Sequence, residues 1–249
     1  MIKIKTDEEI EIMAEGGAKL GRVKRALAAA VKAGVTASDI EDLANELIKK
    51  EGAEPSFKKV PGYSWSTCIN VNEGLVHGIP TKSLIFRKGD VVSIDVGLYY
   101  RGFHLDTSMT VGIDVTPGVQ KFLNVGQNAL ERAISSARVG NYIYDISRAI
   151  ESTVEAAGYS AIRALVGHGV GRELHEDPQI PCFVPGPREE SPEIKKGMVL
   201  AIEVMYAMGS EKVEQKEDGW TIAMRDGKIS ALFEESVAVT NKGPRILTK

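Results

Sequence analysis

The chain has 249 residues, of which 43% are hydrophobic and 26% are charged, and its formal net charge is -3. This length is long for one domain but lies within the range that a single barrel or sandwich reaches. A slightly acidic chain has no bulk electrostatic attraction to nucleic acid or to an anionic membrane, which excludes binding of either through net charge.

The N-terminal segment and the cysteines indicate a compartment. Residues 1–10 include acidic side chains where a signal peptide has an apolar core, and no stretch is apolar enough for a membrane span. The two cysteines, Cys68 and Cys182, are too few for a disulfide framework or a zinc ribbon. We therefore expect a cytoplasmic protein in which both thiols are small buried side chains.

The first half of the chain begins with two predicted helices. A capping box that starts at Thr6, followed by apolar residues at helical spacing, predicts a helix to about Ala33. A second helix follows Thr36 and ends at Gly52. The next segment is β-prone and rich in glycine, with a strand predicted at residues 65–71 and a loop after it.

Two aspartates stand out in the segment that follows. Residues 91–96 and 105–111 have the pattern of buried strands, and the residues between them can form a bulged or extended hairpin. Asp95 and Asp106 lie in these runs, so the hairpin predicts two carboxylates that face each other across neighbouring strands. A carboxylate in an apolar strand costs several kcal/mol unless it is compensated, and a cation is the obvious partner.

The second half repeats this order of elements. The helical period returns at residues 119–137 and 143–157, and a glycine-dense loop at 167–171 leads into a proline-punctuated connection. Four strand-like runs follow, at residues 198–206, 212–216, 220–224 and 229–240. Residues 225–228 have the pattern of a hairpin turn. No linker divides the chain, so we expect a single catalytic domain over residues 1–249.

An internal repeat relates the two halves. Residues 88–96 and 196–204 align without a gap at an offset of 108 residues (196 − 88). Glycine aligns with glycine, and Asp95 aligns with Glu203. A pseudo-twofold structure would bring these two carboxylates to equivalent places around one centre. The alternative is chance similarity between two strands of common pattern.

The histidines and the acids in predicted strands suggest a metal site. His168 is enclosed by glycines, so the backbone can bend around whatever its imidazole binds. A lone histidine is more often a hydrogen-bonded side chain, but this one has many acidic companions. These acids are Asp95, Asp106, Glu203, Glu234 and Glu235. Such an oxygen-rich set suits manganese, iron or cobalt and can hold two ions by bridging, whereas a structural zinc site would use cysteines.

Five segments have a recognisable order and spacing. They are C-I-N-V-N-E-G-L-V-H-G-I-P at 68–80, S-I-D-V-G with H-L-D-T-S within 93–108, G-H-G-V-G-R-E-L-H-E-D-P-Q-I-P at 167–181, L-A-I-E-V-M at 200–205 and E-D-G-W-T at 217–221. Together they resemble the bacterial type I methionine aminopeptidases of peptidase family M24. The resemblance implies the α+β pita-bread fold, in which two pseudosymmetric halves form a curved antiparallel sheet covered by helices around a di-metal site.

The resemblance also implies a ligand set for two divalent ions, which would be cobalt, manganese or iron, with zinc as a further option. It implies that Asp95 binds one ion and that His168 and Glu203 bind the other. In the same pattern, Asp106 and Glu234 bridge the two ions.

Three residues take catalytic positions by the same resemblance. His77 would orient the substrate near its N-terminal amine, and His175 would stabilise the developing oxyanion or the scissile amide. Glu203 would pass a proton from the attacking water to the leaving amine. The implied reaction is amide hydrolysis without a covalent enzyme intermediate.

Specificity for methionine requires an apolar pocket. By position in the family, its lining would be Phe57, Val60, Tyr63, Cys68, Leu174 and Trp220. Ordinary core packing is the alternative for each of them. The expected substrates are nascent proteins and peptides with a small second residue. We also expect transient ribosome association, a monomer, and neither a membrane nor a nucleic-acid partner.

The chain departs from the family pattern at several positions. Val204 stands where proline is usual, Leu105 stands where glycine is frequent, and Glu235 and Ser236 replace a His-Thr pair. Two adjacent glutamates leave the bridging ligand open between Glu234 and Glu235. Because neighbouring side chains of a strand alternate faces, only one of them can point to the site, and the register of the following strand favours Glu234.

Three other functions are alternatives. A proline-directed peptidase of the same fold, such as aminopeptidase P or prolidase, usually has a separate N-terminal domain, for which the position of the first helix leaves no room. A metal-free binding or scaffold protein would have lost ligands, whereas all five are retained. Ribosome or RNA association as the primary role would need a basic extension, which the sequence lacks.

Overall fold

The computed structural model describes all residues from Met1 to Lys249. The α-helices are α1 (Asp7–Ala30), α2 (Ala37–Lys50), α3 (Pro117–Ser136) and α4 (Ile143–Ala156). The strands are β1 (Glu54–Pro55), β2 (Thr67–Val71), β3 (Gly74–Val76), β4 (Val91–Tyr100), β5 (Phe103–Gly112), β6 (Ser160–Ala161), β7 (Val166–Gly169), β8 (Glu176–Pro181), β9 (Val199–Ala207), β10 (Val213–Gln215), β11 (Ile222–Met224), β12 (Ser230–Thr240) and β13 (Gly243–Ile246). No helix combines the length and the apolar character that crossing a membrane requires.

The helices begin where the sequence predicts them. Thr6 and Thr36 each form a capping box, in which the threonine side chain and a later acid bond to each other's backbone amides. Helix α1 ends at Ala30, earlier than the predicted end near Ala33, because Val31 already has extended backbone angles. Apart from that end, the predicted helix bounds are confirmed to within about two residues, the usual uncertainty of a helix boundary.

One antiparallel sheet of ten strands forms the centre of the molecule. Its main order is β1-β4-β5-β12-β9-β7-β8, and β2, β6 and β13 pair with β4, β9 and β12 respectively. A smaller sheet has the order β10-β11-β3. Because β5 pairs with β12, the two long-strand pairs β4-β5 and β9-β12 form one continuous surface.

The two halves have the same arrangement of helices and strands. Helix α1 packs on β4 and β5, and helix α3 packs on β9 and β12. Asp95 near the middle of β4 and Glu203 near the middle of β9 occupy equivalent positions, as the internal repeat predicts. The expected α+β architecture with two related halves is confirmed.

Side-chain alternation separates a core face from a second face of the sheet. In β4, Ile94 and Val96 lie in the apolar core with α1 and α2, so Asp95 between them points the other way. In β9, Ile202 and Val204 lie in the core with α3 and α4, so Glu203 also points away from the helices. Each half therefore packs apolar side chains against its helices and presents an acid on the opposite face.

The hairpin that carries the two aspartates is regular. Strands β4 and β5 pair without a register shift along their whole length. Arg101 and Gly102 form a two-residue turn with φ angles of 48° and 91°. Positive φ at both central residues matches the twist of paired strands. The hairpin therefore lacks the bulge that the sequence allowed.

Three predictions about the second half are wrong. The glycine-dense segment, predicted as a loop, contains strand β7, and the proline-punctuated connection contains strand β8. The turn at residues 225–228 does not join paired strands, because β11 pairs with β10 and β3, whereas β12 pairs with β9, β5 and β13. Short strands that contain glycine and proline have no clear alternation, which explains why they were missed.

Glycine in α1 allows the helix to approach the C-terminal segment closely. A Cβ atom at Gly17 would overlap the backbone carbonyl of Leu247, and one at Gly21 would overlap that of Lys249. Because those neighbouring atoms belong to the backbone, they cannot move aside as a flexible side chain would. Helix α1 thus depends on these glycines for its position behind β4 and β5.

Gly17→Ala is expected to lower the free energy of unfolding by about 1–3 kcal/mol, because the added methyl group overpacks a helix–backbone contact. Urea denaturation of the two proteins measures the difference. Gly118→Ala in α3 is the matched control, since the nearest atom to its Cβ would be Thr116 Oγ1 at 3.9 Å. Equal stability of Gly17→Ala and wild type would contradict the close contact.

Candidate metal centre

Five neighbouring strands each place one predicted metal ligand on the face opposite the helices. In the strand order β4, β5, β12, β9 and β7, the residues are Asp95, Asp106, Glu234, Glu203 and His168. The pairing register aligns three of them, because Asp95 and Glu234 both pair with Ser108, and Glu203 pairs with Glu234. Residues that are far apart in sequence are thus brought together by the sheet.

The two aspartates of the hairpin lie diagonally across the strands. Asp95 pairs with Ser108, and Asp106 pairs with Gly97. They lie on the same face of neighbouring strands, as the sequence predicts, because Asp106 and Ser108 are two residues apart on one strand. At Gly97 a Cβ atom would lie 2.6 Å from the ring of Phe57, so the missing side chain leaves space for that ring.

Three buried side chains converge at the middle of this row. Ligand atoms of Asp106, His168 and Glu234 all lie within 4.8 Å of one another. Nδ1 of His168 lies 2.8 Å from the carbonyl oxygen of Gly169, to which it can only donate. This bond leaves Nε2 unprotonated in the neutral ring, and Nε2 lies 3.5 Å from Oε1 of Glu203.

Carboxylate oxygens in this cluster lack hydrogen-bond partners. Asp95, Asp106 and Glu234 each have one buried oxygen without a partner. A buried polar atom without a partner is costly and needs an explanation. Several such oxygens beside an imidazole nitrogen have the chemistry of a divalent-cation donor set, and the hydrogen bond on the far nitrogen of His168 is typical of a ligating histidine. The residues present therefore fit a divalent metal.

Burial shifts the protonation of all five side chains. Burial raises the pKa of Asp95, Glu203 and Glu234 well above the usual range, and neighbouring acids add to the effect. Burial raises the pKa of Asp106 to about 7 and lowers the pKa of His168 to about 4. At neutral pH the imidazole is therefore uncharged, while ionisation of the acids needs a compensating positive charge.

The predicted ligands and the predicted pocket line one cavity of about 150 Å³. Its lining includes Phe57, Val60, Tyr63, Cys68, His77, Asp95, Asp106, His168, Leu174, His175, Glu203, Trp220 and Glu234. Val76 also lines it, which the sequence did not indicate because a lone valine before a loop carries no distinguishing pattern. The cavity therefore combines metal-binding groups with an apolar wall.

Aromatic side chains hold the apolar wall in place. Phe57, Tyr63, Cys68 and Leu174 form a small buried cluster separate from the two main cores. The Tyr63 hydroxyl donates to the carbonyl of Thr67 at 2.8 Å, and its ring meets that of Trp220 edge to face at 5.0 Å. Edge-to-face aromatic pairs add stability beyond buried area. The wall is consequently preformed.

Two histidines border the cavity on loops. His77 follows β3 with a φ angle of 59°, a left-handed conformation that costs a non-glycine residue about 1–3 kcal/mol. Burial, together with His175, lowers the pKa of His77. His175 precedes β8, and its ring centroid lies 4.4 Å from that of His168. Backbone strain at a cavity-lining histidine is typical of a functional position.

Glu234 and Glu235 point to opposite faces of β12. Glu234 lines the cavity, whereas Oε1 of Glu235 lies 2.5 Å from Nζ of Lys24 in α1. Of the two glutamates, only Glu234 is thus placed for metal binding. Ser236 accepts a hydrogen bond from the backbone amide of Asp106 at 3.0 Å and donates to its carbonyl at 2.8 Å. No local pattern indicates this contact, because it joins residues 130 positions apart in the chain.

A buried ion pair anchors the segment that carries Leu174 and His175. Nζ of Lys5 lies 2.5 Å from Oε2 of Glu176, and both side chains are buried. The backbone amide of Glu173 also donates to Glu176, at 3.2 Å. This pair was not predicted, since a lysine near the N-terminus and an acid in a strand share no local pattern.

Comparison with known proteins gives a consistent result. The profile described as metallopeptidase family M24 matches residues 11–241. A methionine aminopeptidase from Clostridium perfringens is 42% identical over 249 residues, which cover 100% of this chain and 99% of that relative. The crystal structure of methionine aminopeptidase from Thermotoga maritima is 42% identical and covers both chains completely, with a TM-score of 0.97. A prolidase from Pyrococcus furiosus is 25% identical with a TM-score of 0.79, and 65% of its chain is covered.

In the metal-free protein, the contribution of Asp106 to stability is expected to fall as pH rises from about 4 to about 7, and comparison with Asp106→Asn separates it from the opposite contribution of His168. The folded pKa of Asp106, about 7, lies above its unfolded value of about 3.9, so the fold favours the protonated acid. The stabilising effect of protonation is present below the unfolded pKa and is lost as pH rises through the folded pKa. Thermal melting in chelator at pH 5 and pH 8 measures this change.

Added Mn²⁺ should raise the melting temperature more at pH 8 than at pH 5, because binding requires deprotonated carboxylates. Asp106→Asn is the control, and it should reduce both the pH dependence in chelator and the Mn²⁺-induced shift. The same pH dependence of stability in chelated wild type and chelated Asp106→Asn would contradict the burial of this acid.

Proposed function

This chain belongs to metallopeptidase family M24, and on that premise we propose that it is a methionine aminopeptidase. It uses water to split the amide bond after an N-terminal methionine, which releases methionine and a chain with a new amino terminus. The observation that supports this function most strongly is the single cavity in which metal-binding groups adjoin a rigid apolar wall. A peptidase for an apolar terminal residue needs both features in one place.

The proposed cofactor is a pair of divalent ions. Asp95 would bind one ion, His168 and Glu203 the other, and Asp106 and Glu234 both. Four carboxylates beside one imidazole on the lining of a single cavity support two ions, because a carboxylate has two oxygens and can bind two metals at once. When bound, such ions lower the pKa of a coordinated water and polarise the scissile carbonyl. The donor set suits cobalt, manganese or iron, and zinc is also compatible.

Glu203 is the proposed proton carrier. Its carboxyl lies at the cavity beside Nε2 of His168, and burial raises its pKa well above the usual range. A carboxyl with a raised pKa can take a proton from the attacking water and give it to the leaving amine. His77 would orient the substrate near its terminal amine, and His175 would donate a hydrogen bond to the developing oxyanion.

The apolar wall would hold the methionine side chain. Full burial of a methionine side chain is worth about 1.5–3 kcal/mol, which favours it over polar residues. Its proposed contacts are Phe57, Val60, Tyr63, Cys68, Leu174 and Trp220. A small second residue is proposed because the motif resemblance to bacterial type I methionine aminopeptidases implies one.

The proposed setting is the cytoplasm, with residues 1–249 acting as one monomeric catalytic domain on the N-termini of nascent polypeptides. The pairing of β5 with β12 supports one domain, because the ligands come from both halves. Ribosome association would be transient, since a net charge of -3 provides no bulk attraction to RNA.

The metal-loaded protein is expected to release methionine from Met-Gly- and Met-Ala-starting peptides, and much more slowly from peptides with a bulky second residue. Chromatographic detection of free methionine, with several metals tested in parallel, measures the reaction. Cleavage of Xaa-Pro peptides with no action on Met-Gly peptides would instead assign the proline-directed activity of the prolidase-like relatives.

Glu203→Gln should lower kcat by roughly 10²–10⁴-fold, the usual contribution of a positioned acid–base group. In chelator at pH 5, where burial keeps Glu203 protonated, the melting temperature should stay close to that of wild type, because Gln preserves the size of the side chain. Glu214→Gln, at an exposed side chain paired with Lys216, is the control and should retain full activity. A fully active Glu203→Gln protein would remove the residue from the mechanism.

A further inference from the structure

A polar network lies on the helix side of the sheet, directly behind the shared ligands. Lys24 of α1 donates to Oε1 of Glu235 at 2.5 Å and to Oγ1 of Thr107 at 3.1 Å. The side chains of Lys24 and Glu235 are only 12% and 16% exposed. Thr248 donates to the other carboxylate oxygen of Glu235. None of these side chains lines the cavity, so the proposed reaction does not use them directly.

The network is bonded to the backbone that carries Asp106 and Glu234. Oγ1 of Thr107, the residue after Asp106, donates to the carbonyl of Glu234 at 2.8 Å. Oγ1 of Thr248 accepts from the backbone amide of Ser236 at 3.0 Å. The backbones of strands β5 and β12 pair directly only at Glu234 and Glu235. The side-chain hydrogen bonds therefore add to a short run of backbone pairing between the two strands.

The ion pair between Lys24 and Glu235 can hold the helix and the sheet in a fixed relative position. A partly buried ammonium and carboxylate that satisfy each other resist displacement, because loss of either leaves an uncompensated charge. The hydroxyl of Thr107 accepts from Lys24 and donates to Glu234, so the charge pair and the strand backbone are connected through one atom. A shift of α1 would therefore move the β5–β12 junction.

We propose that Lys24 and Glu235, acting through Thr107, are positioning residues that fix the β5–β12 register and thereby the spacing of Asp106 and Glu234 for the metal. This inference rests on the proposed function for its purpose, but it concerns metal binding and backbone order, both of which are measurable without substrate. Glu235, one of the departures from the family pattern that the sequence shows, thus has a structural partner in this chain.

The test measures Mn²⁺ dissociation constants by calorimetry for Lys24→Met, Glu235→Gln and the double variant. Each single variant is expected to bind Mn²⁺ roughly tenfold more weakly, the lower end of the usual effect of residues that support metal ligands. The double variant should bind no more weakly than the worse single variant, because the two residues act as one unit. Arg22→Met is the matched control. Arg22 lies on the same helix as Lys24, but its ion pair is with Glu51 at the end of α2, so its loss should leave the dissociation constant unchanged.

Thr107→Val and Thr107→Ser separate positioning from general destabilisation. The valine variant removes the connecting hydroxyl and should weaken Mn²⁺ binding, whereas the serine variant retains the hydroxyl and should bind like wild type. In the metal-free protein, hydrogen exchange should accelerate in Thr107→Val at the amides of Asp106 and Ser236 but not in α4. Wild-type Mn²⁺ affinity in Lys24→Met and Thr107→Val would overturn the proposal, and so would uniform acceleration of exchange across the whole chain.

A wild-type protein that binds Mn²⁺ but leaves Met-Gly peptides intact would refute the proposed function and not the positioning role of Lys24 and Glu235.

Discussion

Burial of several acids on one face of a single sheet is the constraint on which this structure depends. Asp95, Asp106, Glu203 and Glu234 cannot all ionise in a confined space without a positive counterpart, because desolvation and mutual repulsion both oppose it. The chain supplies no lysine or arginine to the lining of their cavity. In their ionised forms these acids carry an electrostatic cost that a bound cation offsets, and this cost is the physical basis of a metal site.

A rigid scaffold is needed to hold such a cluster together. The acids come from the long strands of two related halves, and the apolar residues on either side of Asp95 and Glu203 in sequence pack against helices on the opposite face. Strand alternation thus serves both requirements at once, since one face supplies hydrophobic stability and the other supplies ligands. Sites on strands are held more precisely than sites on loops. The histidines at the rim, by contrast, lie on loops.

Local patterns were sufficient to predict much of this arrangement. The alternation around Asp95, the aligned Glu203 and the capping boxes at Thr6 and Thr36 are signals within a few residues, and the structure follows them. The motif resemblance supplied the cavity residues, and all of them line one space. That they act as ligands and pocket remains a proposal, whereas their proximity is a structural fact.

The features that escaped sequence analysis depend on long-range contacts. His168 lies on strand β7, whose glycines led to the prediction of a loop. The partners of β11 and β12 follow from tertiary pairing, which no turn motif encodes. Likewise, the roles of Ser236 and of Lys24 depend on atoms more than a hundred residues away in the chain. Such contacts have no local period or composition from which to infer them.

The most direct measurement is anomalous X-ray scattering at the manganese edge from a crystal soaked in Mn²⁺. Two peaks are predicted, one on the Asp95 side and one on the His168 side of Asp106 and Glu234, with no peak of similar height elsewhere. A cavity without any anomalous peak at saturating Mn²⁺ would contradict the view that the buried acids exist to hold metal.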